Sequence, residues 1–509
     1  MSGLGVLPPW LRQRAGGVLL HVSSLPGHWG IGNLGQPAFE FVDFLKECGF
    51  KFWQICPVGP TGFGDSPYQV FSSFAGNPYF IDWHPIVDTG LILESELQEL
   101  TKVSSCNKID YGNLHATFWA VAEKAFKKFQ MDSSIFDEKY GKFEDFIKTN
   151  ASWLPQYSLF QSTKAKNKGN PWWLWPCDDR TYSGFTENRT ASSSAPTLHT
   201  FLQFVFHGQW KLLKKKAKSQ KVQILGDLPL YVAPDCADVW QRPELFQLDS
   251  DLGTLSNVAG VPPDYFNPRG QLWGNPLYDW PRHEAENYSW WLDRLKAQTE
   301  LFDVTRIDHF RGFHDYWSIP GKSFDACEGN WKNGPGLPFF DFVEQSFPGM
   351  PFLAEDLGML TEGVRKLRQD AGLPGMAVLQ FAFDGNPDNS YLPHNLTPDL
   401  VTYTGTHDND TSMGWYKCAG EEVQRNFRTY LGSDGSSPSW DMIKTAFQSV
   451  SQLCIAPMQD LLSLGSETRL NKPGEPQGNW GWRMTREQLD EAHSNSSPYL
   501  LELGRATGR

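Results

Sequence analysis

No run of about 18 apolar residues occurs anywhere in this 509-residue chain, so the sequence offers no transmembrane helix. The opening MSGLGVLPPWLRQRAGG has neither the apolar core of a secretory signal nor the Ser- and Arg-rich amphipathicity of a transit peptide. Cysteine is sparse and scattered: Cys48, Cys56, Cys106, Cys177, Cys236, Cys327, Cys418 and Cys454 form no CxxC pair. They read as reduced core thiols of a cytosolic protein, with no zinc site and no disulfide framework. No EF-hand loop occurs either, and neither metal nor cofactor is expected. Basic charge is in deficit, with 45 Lys and Arg against 58 Asp and Glu. A net charge of −13 argues against nucleic acid and anionic membranes as partners. Internal repeats and long low-complexity segments are absent as well.

Aromatic residues are plentiful, at 14% of the chain with 21 Trp. Trp172, Trp173, Trp175 and Trp273 stand beside Gly, Pro and Asn, which predicts exposed rings. A flat ring with a polar edge suits the apolar face of a sugar, and a protein-binding patch is the other reading.

The recurring pattern is a short apolar run, then polar or Gly-rich sequence, then helical spacing. The runs are Gly17 to Val22, Lys51 to Cys56, Val222 to Asp227, Leu301 to Ile307, Phe352 to Glu355, Ala377 to Phe383, Leu400 to Thr404 and Leu453 to Pro457. Helical patterns lie between most of them, including Pro37 to Cys48, Leu202 to Lys218, Thr361 to Asp370 and Glu421 to Leu431. Eight strands alternating with helices predict an α/β fold, a (β/α)8 TIM barrel filling residues 1–509 as one catalytic unit. The competing doubly wound sheet would carry a glycine-rich turn between a strand and a helix, and the GFG at 62–64 lacks that context. Residues 57–195 read as an inserted subdomain after the second strand, because so long a loop without structure of its own is improbable. Residues 228–285 read as an insertion after the third. About fifty residues follow the eighth run, which leaves little room for a C-terminal β-domain.

In such barrels the active site lies at the C-terminal ends of the strands. Those ends offer Asp227, then Arg306 and Asp308, then Glu355 and Asp356, then His407 and Asp408. Strand alternation turns Val304, Arg306 and Asp308 one way and Thr305 and Ile307 the other. A buried arginine needs a partner, and a carboxylate beside it should have a lowered pKa. This is either a structural ion pair or a carboxylate held ionised for covalent catalysis. Asp in turns such as TGTHDNDT also serves as a loop cap. Paired carboxylates with aromatic platforms and no metal fit glycosyl transfer: one ionised nucleophile and one protonated acid/base. Glu355 follows apolar Phe352, Leu353 and Ala354, where desolvation would raise its pKa.

The motifs GDLPLYV (226–232), TRIDHFRGF (305–313), LAEDLG (353–358) and TGTHDNDT (404–411) resemble those of the 4-α-glucanotransferases of glycoside hydrolase family 77, the amylomaltases or disproportionating enzymes. SSLPGHWGIGNLG near the N-terminus, GDSPYQ (64–69) and QLWGNPLYDW (271–280) add to the likeness, which spans nearly the whole chain except residues 101–195. The resemblance implies transfer of α-1,4-glucan segments through a covalent glycosyl-enzyme, from a glucan donor to glucose or a maltooligosaccharide. By position, Asp308 is similar to the family's nucleophile, Glu355 to its acid/base and Asp408 to its transition-state stabiliser. Arg306, His309 and His407 would flank the sugar at the cleavage point, and Asp227 is a further substrate-binding candidate. Ser66 and Tyr68 match donor-side contacts, and Tyr265, Gln271 and Trp273 acceptor-side ones. Asp384 and Asn479 are further carry-overs from less distinctive motifs. Two rivals stand: a hydrolytic α-amylase-type enzyme, whose DxxxNH stretch is missing here, and an inactive glucan-binding scaffold, which would not need every carboxylate. The expected location is the cytosol, or a plastid if a leader has been removed.

Overall fold

A computed structural model describes residues 7–101, 107–182, 196–249, 254–263, 267–358, 360–475 and 477–509. Within them lie twelve strands: β1 (Ala15–Leu19), β2 (Phe52–Gln54), β3 (Gln223–Leu228), β4 (Asn257–Val261), β5 (Gln271–Pro276), β6 (Val304–Ile307), β7 (Asp315–Pro320), β8 (Asn330–Asn333), β9 (Phe352–Ala354), β10 (Gly375–Val378), β11 (Leu400–Tyr403) and β12 (Leu453–Pro457). Eight of these, one from each apolar run, pair in parallel in the order β10-β11-β12-β1-β2-β3-β6-β9. Ala354 N donates to Pro374 O at 2.9 Å across the remaining gap, so the sheet curls into a (β/α)8 barrel.

The strands are apolar on both faces because both are covered. Inward residues Leu19, Phe52, Leu225, Val304, Leu353, Met376, Val401, Tyr403 and Ile455 fill the lumen. Outward residues Val18, Trp53 and Ile224 join the core shared with the surrounding helices. The sixth apolar run, Ala377 to Phe383, outlasts its strand: β10 stops at Val378 and residues 379–381 wind into a 3₁₀ turn. That apolar run continues past the strand, and burial alone does not distinguish strand from turn.

The helix Leu198–Ser219 packs on β3, and its start shows why it begins four residues before the apolar pattern. Thr197 caps it by accepting from Thr200 N at 3.3 Å, while Lys216 and Lys218 sit in its last turn, where the helix dipole favours cations. Trp210 Nε1 then ties it to Leu301 O at 2.9 Å. Between β2 and β3, helices Tyr111–Phe129, Phe143–Thr149 and Leu154–Lys166 bring rings such as Phe129 against Phe201, centroids 4.7 Å apart. This region shares one apolar cluster with the barrel's outer face.

A second, antiparallel sheet has the order β5-β4-β7-β8. Two of its strands come from the chain between β3 and β6, and two from the chain between β6 and β9. It is therefore assembled from two separate excursions on either side of β6.

Trp172 and Trp175 depart from the expectation of exposed rings: they are 2% and 1% exposed. Trp172 Nε1 donates to Pro234 O and Trp175 Nε1 to Asn170 O, and Phe160 and Trp240 close over Trp175. Each indole N–H finds a carbonyl, which lets the rings bury. The seven described cysteines are free, but only Cys48, Cys56, Cys236 and Cys454 are core thiols; Cys177, Cys327 and Cys418 lie outside the apolar runs and are exposed. Among the described residues no helix is long and apolar enough to cross a membrane.

Candidate active site

Register brings the acidic strand ends together. Asp227 on β3 pairs with Arg306 on β6, and Ile307 pairs with Ala354 on β9, the residue before Glu355. Arg306 is buried and forks between two carboxylates: Nη1 lies 2.8 and 2.7 Å from the oxygens of Asp227, and Nη2 lies 2.8 Å from Asp308 Oδ1. Burial alone would pull the guanidinium's pKa down, but Asp227 and Asp308 drive it well above its ordinary value. The two acids differ in access. The Asp227 side chain is 1% exposed, whereas that of Asp308 is 26% exposed and open to the mouth. Burial raises the pKa of Asp227, with Asp308 adding to the rise and Arg306, His407 and Tyr68 opposing it. Tyr68 Oη donates to Asp227 Oδ2 at 2.7 Å.

Glu355 sits beyond β9 with both oxygens occupied. Oε2 accepts from His309 N at 2.8 Å and Oε1 from Leu357 N at 3.0 Å. The first bond requires His309 to adopt φ +50°, a left-handed conformation that costs a residue with a Cβ. That turn aims the N–H of the residue after Asp308 at Glu355. Burial nevertheless dominates, and Asp308 reinforces it: the Glu355 pKa rises to about 7, against the pull of Arg306 and the two N–H donors. His309 is neutral, its pKa lowered to about 4 by burial. Trp273 stands edge-on to the His309 ring, centroids 4.8 Å apart at 85°, and its Nε1 donates to Gln271 Oε1 at 3.1 Å.

Asp408 occupies the loop after β11. Burial would raise its pKa, but His407, Asn471 and Arg306 outweigh it and hold the group down at about 2. Asn471 Nδ2 donates to its Oδ1 at 2.6 Å, and His407 Nε2 lies 3.4 Å from Oδ2. Asp408 in turn raises the His407 pKa against burial. The His407 ring stacks on Tyr68, centroids 5.1 Å apart, with Trp480 at 5.8 Å. Tyr68 thus links Asp227 on one side of the mouth to His407 on the other.

Several expected residues join this constellation and others stand apart. Tyr68, Asp227, Arg306, Asp308, His309, Glu355, His407, Asp408, Gln271 and Trp273 form one connected set. Ser66 borders it, accepting from Tyr68 N at 3.2 Å. Tyr265 lies outside the described residues. Asp384 is exposed and accepts from Asn386 N at 2.9 Å, as an Asp that initiates a turn does. Asn479 is half-buried and closes its own loop, accepting from Lys472 N at 3.0 Å and donating to Glu475 O at 2.7 Å. Asp356 turns away from the mouth to Arg368 Nε at 3.0 Å and Met376 N at 2.7 Å, so of the two adjacent acids only Glu355 faces the set.

Sequence reasoning missed the brace around Asp408. Arg469 Nη2 donates to Asp408 O at 2.5 Å, and Asn471 N to His407 O at 3.1 Å. Buried Asp460 grips both flanks of the loop, accepting from Thr404 Oγ1 at 2.6 Å and from Ser412 N and Oγ at 2.7 Å each. Asp460 follows β12 and was discoverable as an acid just past the eighth strand. Asn471 carries no local signal.

A profile described as 4-alpha-glucanotransferase, glycoside hydrolase family 77, matches residues 20–489. A 4-alpha-glucanotransferase of Thermus thermophilus is 44% identical over 490 residues, covering 94% of this chain and 96% of its own. The chain belongs to glycoside hydrolase family 77. Within that family, a 4-alpha-glucanotransferase of Arabidopsis thaliana, named chloroplastic/amyloplastic, is 39% identical over 509 residues, covering 99% of this chain and 87% of its own. The amylomaltase of Streptococcus agalactiae, solved in complex with acarbose, superposes with a TM-score of 0.92 at 36% identity, covering 98% of this chain and all of the other. The barrel described above is thus the family's fold.

Proposed function

We propose that the protein is a 4-α-glucanotransferase that moves α-1,4-glucan segments between maltooligosaccharides by a retaining double displacement. The reading rests on one contrast: Asp308 has a guanidinium 2.8 Å away, while the neighbouring Glu355 has its pKa raised to about 7 by burial. A retaining enzyme needs that division between a charged nucleophile and a protonated acid, with carboxyls about 5–5.5 Å apart.

In the first step Glu355 gives its proton to the glycosidic oxygen as Asp308 attacks the anomeric carbon. The bond to the leaving glucan breaks and a glycosyl ester of Asp308 forms. In the second step Glu355, now ionised, takes the proton from the 4-hydroxyl of an acceptor sugar, which displaces Asp308. Asp408, braced by Asn471, accepts hydrogen bonds from hydroxyls of the sugar at the cleavage point as charge builds on its ring. Arg306, His309 and His407 flank that sugar, and Asp227 fixes Arg306. Ser66 and Tyr68 serve the donor side, and Tyr265, Gln271 and Trp273 the acceptor side, with Asp384 and Asn479 further out. Residues 57–195 and 228–285 act as insertions that wall the cleft, the second carrying the substrate loop. The enzyme works where glucans and reduced thiols coexist, in a cytosol or a plastid.

Transfer and hydrolysis use the same carboxylates, so product analysis decides between them. Maltotriose alone should give glucose plus a ladder of longer glucans, by mass spectrometry. Glucose and maltose as the only products at all times would make the enzyme a hydrolase.

A further inference from the structure

Three of the large apolar side chains that stand exposed, Leu272, Phe324 and Trp331, come from the second sheet and its β7–β8 loop. Register puts two of them in one row. Leu272 on β5 pairs with Gly260 on β4, Gly260 with Trp317 on β7, and Trp317 with Trp331 on the edge strand β8. Paired residues share a face, so this row crosses the whole sheet, a span of roughly 14 Å at about 4.8 Å per strand. Gly260 is buried in the middle, where a Cβ would sit 2.2 Å from Gln271 O and 2.5 Å from Ile319 Cδ1, so the row is exposed at its two ends, Leu272 and Trp331. Leu272 lies between Gln271 and Trp273 on β5, so it points away from the face on which Trp273 meets His309. The row therefore lies on the outer face of the wall whose inner face lines the cleft.

Trp331 is built as a fixed ring. Arg311 lies 3.8 Å from its centroid, anchored by Asp315 Oδ1 at 2.6 Å from Nε. Trp317 meets its edge at 5.2 Å and is itself pinned by Nε1 donating to Ala326 O at 2.9 Å. With one face held by a cation and a neighbour at its edge, Trp331 is still 40% exposed, about the share of a free ring face. Asn330, Lys332 and Asn333 beside it are exposed and offer hydrogen-bonding groups.

We propose that this outer face is a second glucan-binding site, with Trp331 as the stacking platform for a neutral α-1,4-glucan chain extending beyond the catalytic cleft. A row one side chain wide is too narrow for the apolar core of a stable protein interface, which takes about 800 Å² per partner. It matches a sugar chain, whose residues stack singly on aromatic faces while their hydroxyls bond at the ring edge. The site is continuous with the catalytic rim, because Arg311 lies three residues beyond Asp308. The inference rests on the transfer of α-1,4-glucans proposed above.

The test compares wild-type protein with Trp331→Ala and Trp331→Tyr. Electrophoresis in native gels with and without soluble amylose reads polymer binding, and maltotriose turnover reads the cleft. Wild type should be retarded by amylose. Trp331→Ala should lose affinity by roughly three- to tenfold, the scale of a lost aromatic stack, and Trp331→Tyr should recover part of it. Maltotriose kcat and KM should stay within about twofold for both variants. Equal retardation of all three proteins with maltotriose turnover intact would overturn the site and leave the transferase reading standing. Absence of maltotriose turnover in the wild type would instead remove the function on which the site rests. A change in oligomeric state of Trp331→Ala, by size-exclusion chromatography with light scattering, would assign the face to a second copy of the chain and overturn the proposal.

Discussion

Replacing Glu355 by glutamine removes a charge that the fold resists while keeping nearly the same shape. Burial lifts the pKa of this carboxyl from an ordinary 4.5 to about 7. A folded state that holds a proton more tightly than the unfolded chain is stabilised at low pH, and that stabilisation is lost as pH rises from about 4.5 through about 7. At ~1.4 kcal/mol for each tenfold change in proton affinity, the gap sets an upper bound of about 3 kcal/mol, of which about 2 kcal/mol falls between pH 5 and pH 8. Solvent reaching the open mouth reduces the measured value to ~1–2 kcal/mol. Glutamine does not titrate, so the variant should gain that much relative to wild type on going from pH 5 to pH 8. Its amide nitrogen will meet one of the two backbone donors now bonded to the carboxylate, His309 N or Leu357 N. That mismatch costs about 1–3 kcal/mol but is the same at both pH values, so it cancels in the comparison. Urea unfolding of both proteins at pH 5, 6, 7 and 8 measures the difference. A stability difference that stays flat across this range, or a variant that loses stability relative to wild type as pH rises, would refute the assignment of Glu355 as the carboxyl with the raised pKa.

Under the proposed roles the same asymmetry should govern catalysis. Asp308→Asn should abolish transfer from every donor, while Glu355→Gln should still be labelled on Asp308 by an α-glucosyl fluoride, whose leaving group needs no proton; mass spectrometry placing the adduct elsewhere would overturn the roles. Wild-type kcat/KM for maltotriose should fall above about pH 7, approaching tenfold per pH unit as Glu355 loses its proton in the free enzyme, and a rate still flat at pH 9 would count against Glu355 as the acid. Asn471→Leu removes the 2.6 Å bond that helps hold the Asp408 pKa at about 2, so the acid limb of the pH profile should move upward and kcat should drop roughly 10- to 100-fold, the worth of a hydrogen bond to a charged group; an unchanged acid limb would reduce Asn471 to a loop residue.

The barrel was legible in the chain because each barrel strand is a short apolar run buried on both faces, and burial is a local property of sequence. Strand ends followed from those runs, so Asp227, Arg306, Asp308, Glu355 and Asp408 could be named from position alone. The motifs around them carried the family. Pairing across distance was not legible. Nothing in FLAEDLG says that Glu355 faces the mouth while Asp356 turns to Arg368; strand alternation separates the two, but only the closed sheet decides which side is the mouth. Trp172 and Trp175 have the flanking residues of exposed rings, and only the helices packed over them make them core. The second sheet joins strands from either side of β6, a contact no spacing records. Asn471 reaches Asp408 across 63 positions. Periodicity reports which residues avoid water, and so determined the fold and the rim on which the acids lie. The partner of each acid, which sets its proton affinity, depends on side chains brought together from distant segments and was decided only by tertiary packing.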